Sequence, residues 1–202
     1  MTAHASVDTL LSRTLAGVSL AAPLRAGAVL AGAALTAVAA QFTMPFPGTT
    51  VPFTLTPLVV MLTGAALGSR LGFLTQALYL VAGAMGVAVF APSVTLPPGA
   101  LRLSGPTAGY LLAYPVAAFV TGWLAERGWD RRYLSSLASM LAGLALIFAS
   151  GVSWLVVGMH LSVGAAIAQG LAPFVAFDLV KAAAAAMILP QVWGLVGRGY
   201  RT

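Results

Sequence analysis

The sequence predicts an all-helical integral membrane protein that crosses the bilayer six times with both termini in the cytoplasm. Three observations carry that prediction: the composition, the lengths of the apolar runs and the distribution of arginine. Of 202 residues, 60% are apolar and 7% are charged, where a soluble domain carries about 25% charged residues. A mean hydropathy of +0.97 leaves too little polar surface to coat a globule in water. It also excludes disorder, which needs low hydrophobicity.

A spanning helix needs roughly 20 predominantly apolar residues. Candidate spans cover 26–43, 56–69, 71–91, 104–125, 134–158 and 171–195. The second is short, so it tilts or crosses only part of the bilayer. Pro57 fits its first turn, where a missing N–H is tolerated. Gly68-Ser69-Arg70-Leu71-Gly72 reads as a tight turn into the third span. Pro45, Pro47, Gly48 and Pro52 make 44–55 a structured loop, and Pro92, Pro97, Pro98 and Gly99 do the same for 92–103.

Charge orients the spans. With the N-terminus inside, Arg13, Arg25, Arg70, Arg127, Arg131, Arg132, Arg198 and Arg201 fall on the inner side, and only Arg102 falls outside. That bias is the positive-inside pattern. It supports six crossings and counts the short second span as one of them. Trp123 and Trp129 flank the inner end of span four, as interfacial aromatics do. The expected organisation is a cytoplasmic N-terminal segment at 1–25, a membrane domain at 26–195 and a cytoplasmic tail at 196–202. No cleavable signal peptide is expected, because the first strongly apolar run begins only near Arg25. Val7, Leu10, Leu11, Leu15 and Val18 share helical spacing, which fits either a short amphipathic helix over 7–18 on the inner surface or a frayed tail.

Several function classes drop out. The net charge is +6, but the cations are dispersed, whereas a nucleic-acid binder gathers them on one face. There is no cysteine, hence no disulfide, thiol chemistry or zinc-thiolate site. His4 and His160 lie far apart with no carboxylate near in sequence, so no metal site is expected. Ser150, Ser153 and Ser162 lie near His160 but match no catalytic spacing. The chain does not read as an enzyme, and no P-loop for ATP is present.

Asp178 and Lys181 need a reason to be in the last span. An unpaired charge in a membrane costs about 2.5–3.5 kcal/mol even on lenient insertion scales. Three apart, they share a helix face. They are either an ion pair that orients the bundle or part of a polar ligand site. If the helix enters near Ala172, the two lie roughly 9 and 13 Å deep at 1.5 Å per residue, in the outer half. Arg102 precedes span four on the same side. The three can converge on an outward pocket, with the cations taking an anion and the carboxylate accepting N–H donors. Gln76, Tyr79 and Tyr110 are weaker candidates for the same pocket, equally suited to interhelical bonds or interfacial anchoring. Gly32, Ala33 and Ala37 form a small-residue face that lets another helix approach.

Ordered motifs add a resemblance. Val51-Pro52-Phe53-Thr54-Leu55 precedes the Gly68–Gly72 turn. Gln76-Ala77-Leu78-Tyr79-Leu80 and Gly83-Ala84-Met85-Gly86-Val87-Ala88-Val89-Phe90 follow it. Then come Gly105-Pro106-Thr107-Ala108-Gly109-Tyr110-Leu111 and Pro173-Phe174-Val175-Ala176-Phe177-Asp178-Leu179-Val180-Lys181. In this order, from about 26 to 190, they resemble the BioY family, the biotin-binding S component of energy-coupling-factor transporters. The chain departs from the family at Thr56, where glutamine is frequent, and in a 92–103 loop with less glycine.

The resemblance implies a six-helix S-component fold in the cytoplasmic membrane of a prokaryote, with an outward pocket that loop 44–55 helps to close. Biotin is the implied ligand, and no cofactor is implied. Asp178, Lys181 and Arg102 match the family's polar ligand positions. Asp178 would accept the ureido N–H groups. Lys181 and Arg102 would serve the ureido carbonyl and the tail carboxylate in one order or the other. Phe53, Tyr79 and Tyr110 would pack on the rings. Ala33 and Ala37 look like the face that docks on a coupling transmembrane subunit, with ATP hydrolysis left to separate subunits. Two alternatives stand beside this reading: an S component for another vitamin such as thiamine or riboflavin, and a structural membrane subunit whose Asp178–Lys181 pair only fixes packing.

Overall fold

The structure, a computed structural model, describes residues 9–14, 21–44, 48–93 and 95–198. Its first element is helix α1, Leu10–Thr14. Thr9 and Ser12 cap it reciprocally: the Ser12 amide donates to Thr9 Oγ1 at 3.1 Å and the Thr9 amide to Ser12 Oγ at 2.8 Å, which satisfies two of the orphan donors of a helix start. Leu10 is buried against the bundle. The rest of the predicted 7–18 helix, 7–8 and 15–18, lies outside the described residues, as do residues 199–202 of the tail.

Helix α2 runs Ala21–Gln41, starting ahead of the predicted 26. A short antiparallel hairpin follows, β1 Thr43–Met44 with β2 Phe53–Thr54, in which Thr43 faces Thr54. The loop predicted at 44–55 is therefore ordered by a two-residue ladder. Pro45 and Pro47 lie outside the described residues.

Helices α3 (Thr56–Leu67) and α4 (Ser69–Ala84) meet at Gly68. Gly68 has φ of +88°, a conformation only glycine adopts without penalty. The Ser69 amide and hydroxyl both donate to Glu126 Oε1, at 2.7 and 2.8 Å. Glu126 thus caps α4 from 57 residues away, and the predicted tight turn is held by a long-range contact. The third span ends at Ala84 rather than 91. Gly86, at φ +97°, carries the chain out of helical geometry there.

A 3-10 turn at Ala100–Ser104 leads to α5, Ala108–Ala125. The predicted start at 104 is corrected to 108, since Pro106 has no N–H and disfavours helix in the residue before it. Helix α6 covers Tyr133–Val157, α7 Val163–Gly170 and α8 Ala172–Arg198. The short α7 falls inside the region between the last two predicted spans, where no helix is expected. It begins at Ser162, whose hydroxyl oxygen accepts from the Ala165 amide.

By length and apolarity, α2, α5, α6 and α8 can each cross a bilayer, and α3 is apolar but shorter. Of the apolar stretch of α5, 72% is buried, against 17% for α2. Helix α5 is therefore the axis of the bundle and α2 a peripheral stave. Glycine makes the centre tight. A Cβ on Gly64 would come within 2.4 Å of the Ala118 carbonyl, and one on Gly122 within 2.5 Å of the Ser69 nitrogen, so α3, α4 and α5 approach backbone to backbone.

Candidate functional site

The ends of α2 and α4 and the starts of α3, α5 and α8 meet at one end of the bundle. Between them lies a cavity of about 680 Å³, within the ~300–1,000 Å³ of small-molecule sites. Arg70, at the start of α4, and Arg127, Arg131 and Arg132, between α5 and α6, lie at the opposite helix ends. The hairpin strand β2, residues 90–93 and 95–96 and the 3-10 turn at 100–104 complete the wall.

Helix α8 contributes Asp178 and Lys181, both buried and both facing this cavity. Lys181 Nζ donates to Asp178 Oδ1 at 2.5 Å and to the Thr54 carbonyl at 2.7 Å, and sits 3.6 Å from the centre of the Phe53 ring. An ammonium has three donors. Two are used in hydrogen bonds, and the charge also rests on the Phe53 ring as a cation–π contact. Lys181 thereby ties α8 to the hairpin. The other Asp178 oxygen, Oδ2, has no hydrogen-bond partner among the described residues and remains an acceptor for N–H groups in the cavity. Phe53 also meets Phe177 edge to face at 5.5 Å.

Across the cavity, Arg102 is buried and its Nε donates to the Pro97 carbonyl at 3.1 Å. No carboxylate pairs with it among the described residues. Burial moves its pKa below the usual arginine value, yet a guanidinium stays protonated in proteins. A buried cation without a counter-charge calls for an anion.

Aromatic rings form the floor. Tyr79 is buried and meets Phe90 edge to face at 5.4 Å, with Tyr114 at 6.4 Å. Tyr110 donates its hydroxyl to the Gly170 carbonyl at 2.8 Å. Its ring lies in a slot where a Cβ on Gly151 would come within 2.2 Å. It presents a wall, with its hydroxyl hydrogen already committed.

Six of the seven predicted pocket residues thus line one cavity: Asp178, Lys181, Arg102, Tyr79, Tyr110 and Phe53. Gln76 is the correction. It is fully buried on α4 and absent from the cavity lining, and its Nε2 donates to the hydroxyls of Thr36 on α2 and Thr63 on α3, at 3.1 and 3.0 Å. Two threonines on neighbouring helices draw the amide away from the cavity. Sequence reasoning misses Tyr114 and the Thr54 carbonyl. Tyr114, four residues after Tyr110, repeats the helical face, a signal available in the sequence. A backbone carbonyl leaves no such signal.

Ala33 and Ala37 on α2 are half-buried and pack against the core. Gly32, grouped with them, is consumed inside the bundle, where a Cβ would come within 2.8 Å of Thr75 Cγ2. Leu30, Leu35 and Val38 are exposed on the same helix.

A model of the BioY family matches residues 14–198. The biotin transporter BioY of Thermotoga maritima is 44% identical over 138 residues, 68% of this chain and 78% of that protein. The probable biotin transporter BioY of Pyrococcus horikoshii is 38% identical over 161 residues, 80% of this chain and 91% of that one. A solved structure, the S-component for biotin from an ECF-type ABC transporter, superposes with a TM-score of 0.76 at 20% identity, covering 85% of this chain and 92% of the other. The fold is therefore shared with that S-component.

Proposed function

Because the chain belongs to the BioY family, we propose that it captures biotin at the outer face of a prokaryotic cytoplasmic membrane and serves in its uptake. In this reading the six helices α2, α3, α4, α5, α6 and α8 each cross the bilayer, and both termini are cytoplasmic. The positive-inside bias supports that direction, since the cavity opens at the end away from most of the arginines. Energising subunits supply ATP hydrolysis. One of them, a coupling transmembrane subunit, docks on α2 at Ala33 and Ala37.

The observation that carries the ligand assignment is the pairing, in one apolar cavity, of an open carboxylate oxygen on Asp178 with an uncompensated cation at Arg102. Biotin has that polarity. Its ureido N–H groups fit Asp178, its tail carboxylate fits Arg102, and its fused rings fit Tyr79, Tyr110 and Phe53. Lys181, engaged by Asp178 and Thr54, orients the carboxylate. Thiamine is a cation and would meet both Arg102 and Lys181 with like charge. Riboflavin offers no carboxylate to Arg102.

Labelled-biotin binding to the purified protein tests this directly, with thiamine and riboflavin as competitors. Biotin should copurify after gentle extraction and exchange with label, and neither competitor should displace it. Displacement by another vitamin but not by unlabelled biotin would sink the assignment.

A further inference from the structure

A second cavity of about 530 Å³ lies beside the first. The two share Phe90, Pro92, Ser93, Thr95, Leu96 and Arg102 as lining. These residues border both cavities, so the two adjoin at the Arg102 side chain. The outer chamber differs in character from the inner one. Gln41, Val87, Ala88, Pro97 and Pro98 line it and do not touch the inner cavity. Tyrosine, phenylalanine and aliphatic side chains floor the inner cavity, whereas the outer one mixes small apolar groups with the polar side chains of Gln41, Ser93 and Thr95.

Arg102 is the hinge of the arrangement. Its Nε is committed to the Pro97 carbonyl, which holds the side chain at the boundary. Its two Nη groups, carrying four N–H donors, make no hydrogen bond among the described residues. A guanidinium so placed can hold a carboxylate that ends in the inner chamber. It can also donate, in a weaker bond than to a carboxylate, to an amide carbonyl whose substituent continues outward. Gln41 stands farther along. Its Nε2 donates to the Ala37, Val89 and Phe90 carbonyls at 3.2, 3.4 and 3.4 Å, and its own carbonyl oxygen accepts no bond among the described residues. That oxygen is an acceptor for an ammonium group.

We infer that the outer chamber is an extension of the ligand site that takes the tail of biotin amides, with Nε-biotinyl-lysine as the representative probe. The inference rests on the biotin reading given above. The bicyclic head occupies the inner cavity as biotin's does, Arg102 donates to the amide carbonyl, and the lysyl end lies among Gln41, Ser93 and Thr95. A site with one closed chamber ending at Arg102 would instead reject every ligand longer than the free acid.

The test is a pair of binding isotherms, biotin and Nε-biotinyl-lysine, on the wild-type protein and on Ala88→Trp. Ala88 is exposed to the outer chamber alone, so the indole fills that chamber and spares the inner one. Wild type should bind the conjugate within about tenfold of biotin, and Ala88→Trp should weaken the conjugate by about tenfold or more while moving biotin less than about twofold, the contrast expected when bulk blocks one part of a site. Wild type that binds biotin but holds the conjugate more than about tenfold more weakly, ~1.4 kcal/mol, overturns the inference and leaves the biotin reading intact. Equal weakening of both ligands by Ala88→Trp overturns it as well. Should the tryptophan variant fail to fold, Ala88→Leu carries the same comparison. Wild type that binds neither ligand removes the biotin reading, and the inference falls with it.

Discussion

The Asp178–Lys181 pair on α8 and the Gln76 amide on α4 are both polar groups buried between apolar helices, yet they meet different surroundings. Gln76 is closed in on every side. Its Nε2 is spent on Thr36 and Thr63, and its carbonyl oxygen is buried with no partner among the described residues. Asp178 keeps one oxygen toward a void of about 680 Å³, while its other oxygen holds Lys181. Both groups carry one unsatisfied acceptor. What separates them is whether the space beside that acceptor can admit a donor. A buried polar group in a membrane bundle is therefore a tie when packing closes around it and a site when packing stops short.

Asp178→Asn should break the contrast most strongly. It removes the charge that offsets Lys181 and weakens the acceptor offered to ligand. Truncating one partner of a buried hydrogen-bonded charge pair costs about 2–5 kcal/mol. We expect a loss near the middle of that range, so biotin affinity falls by several hundredfold at ~1.4 kcal/mol per decade. Titration with labelled biotin reads it. An affinity within about threefold of wild type, a difference of only ~0.7 kcal/mol, would take Asp178 out of the site.

Lys181→Met comes next. It leaves the Asp178 carboxylate buried without a counter-charge and frees the Thr54 carbonyl that anchors the hairpin. The expected loss is about 2–3 kcal/mol, the lower part of the range for truncating one partner of a buried charge pair, roughly a hundredfold in affinity. Because the two residues act as one unit, the double variant Asp178→Asn/Lys181→Met should lose less than the sum of the singles. Strict additivity in that cycle would mean that the ion pair does not couple them.

How much of this was legible beforehand follows from the kind of signal each feature leaves. The long apolar helices α2, α5, α6 and α8 announce themselves through composition, and the Gly68 turn through its glycine. Asp178, Lys181 and Arg102 stand out because charge is scarce in so apolar a chain. Helix ends are weaker signals. Span three stops at Ala84 because the backbone turns at Gly86, although Val87, Ala88 and Val89 continue the apolar run. Helix α7 is only eight residues long, too short for periodicity to separate it from a loop. Gln76 misleads because polarity within a span marks a tie and a site equally. Which it is depends on Thr36 and Thr63, 40 and 13 residues away in sequence, and on a void that no residue type encodes. The hold of Lys181 on the Thr54 carbonyl is equally silent, since every residue has a carbonyl.

Gln76→Leu sharpens the contrast from the other side. The threonine hydroxyls that accept from Nε2 already donate to backbone carbonyls of their own helices, so they stay satisfied when the amide leaves. Interhelical hydrogen bonds in membranes average about 0.6 kcal/mol, and removal of a buried orphan carbonyl offsets part of that loss. Stability should change by about 1 kcal/mol or less, and biotin affinity by less than about twofold. Thermal unfolding in detergent and a binding titration measure the two separately. A loss of about tenfold in affinity, ~1.4 kcal/mol, would return Gln76 to the ligand.

Tyr110→Phe carries the smallest expected effect and divides the aromatic floor most finely. The hydroxyl donates to the Gly170 carbonyl at 2.8 Å and so links α5 to the end of α7. The ring is wedged against Gly151, and phenylalanine keeps that wedge. Losing one neutral hydrogen bond costs about 0.5–1.5 kcal/mol of stability. The cavity wall keeps its shape, so biotin affinity should shift by less than about threefold, under ~0.7 kcal/mol on the decade scale. A loss of about tenfold or more would mean that the tyrosine oxygen, which keeps acceptor capacity after donating its proton, meets the ligand, and Tyr110 would join Asp178 as a polar contact instead of a wall.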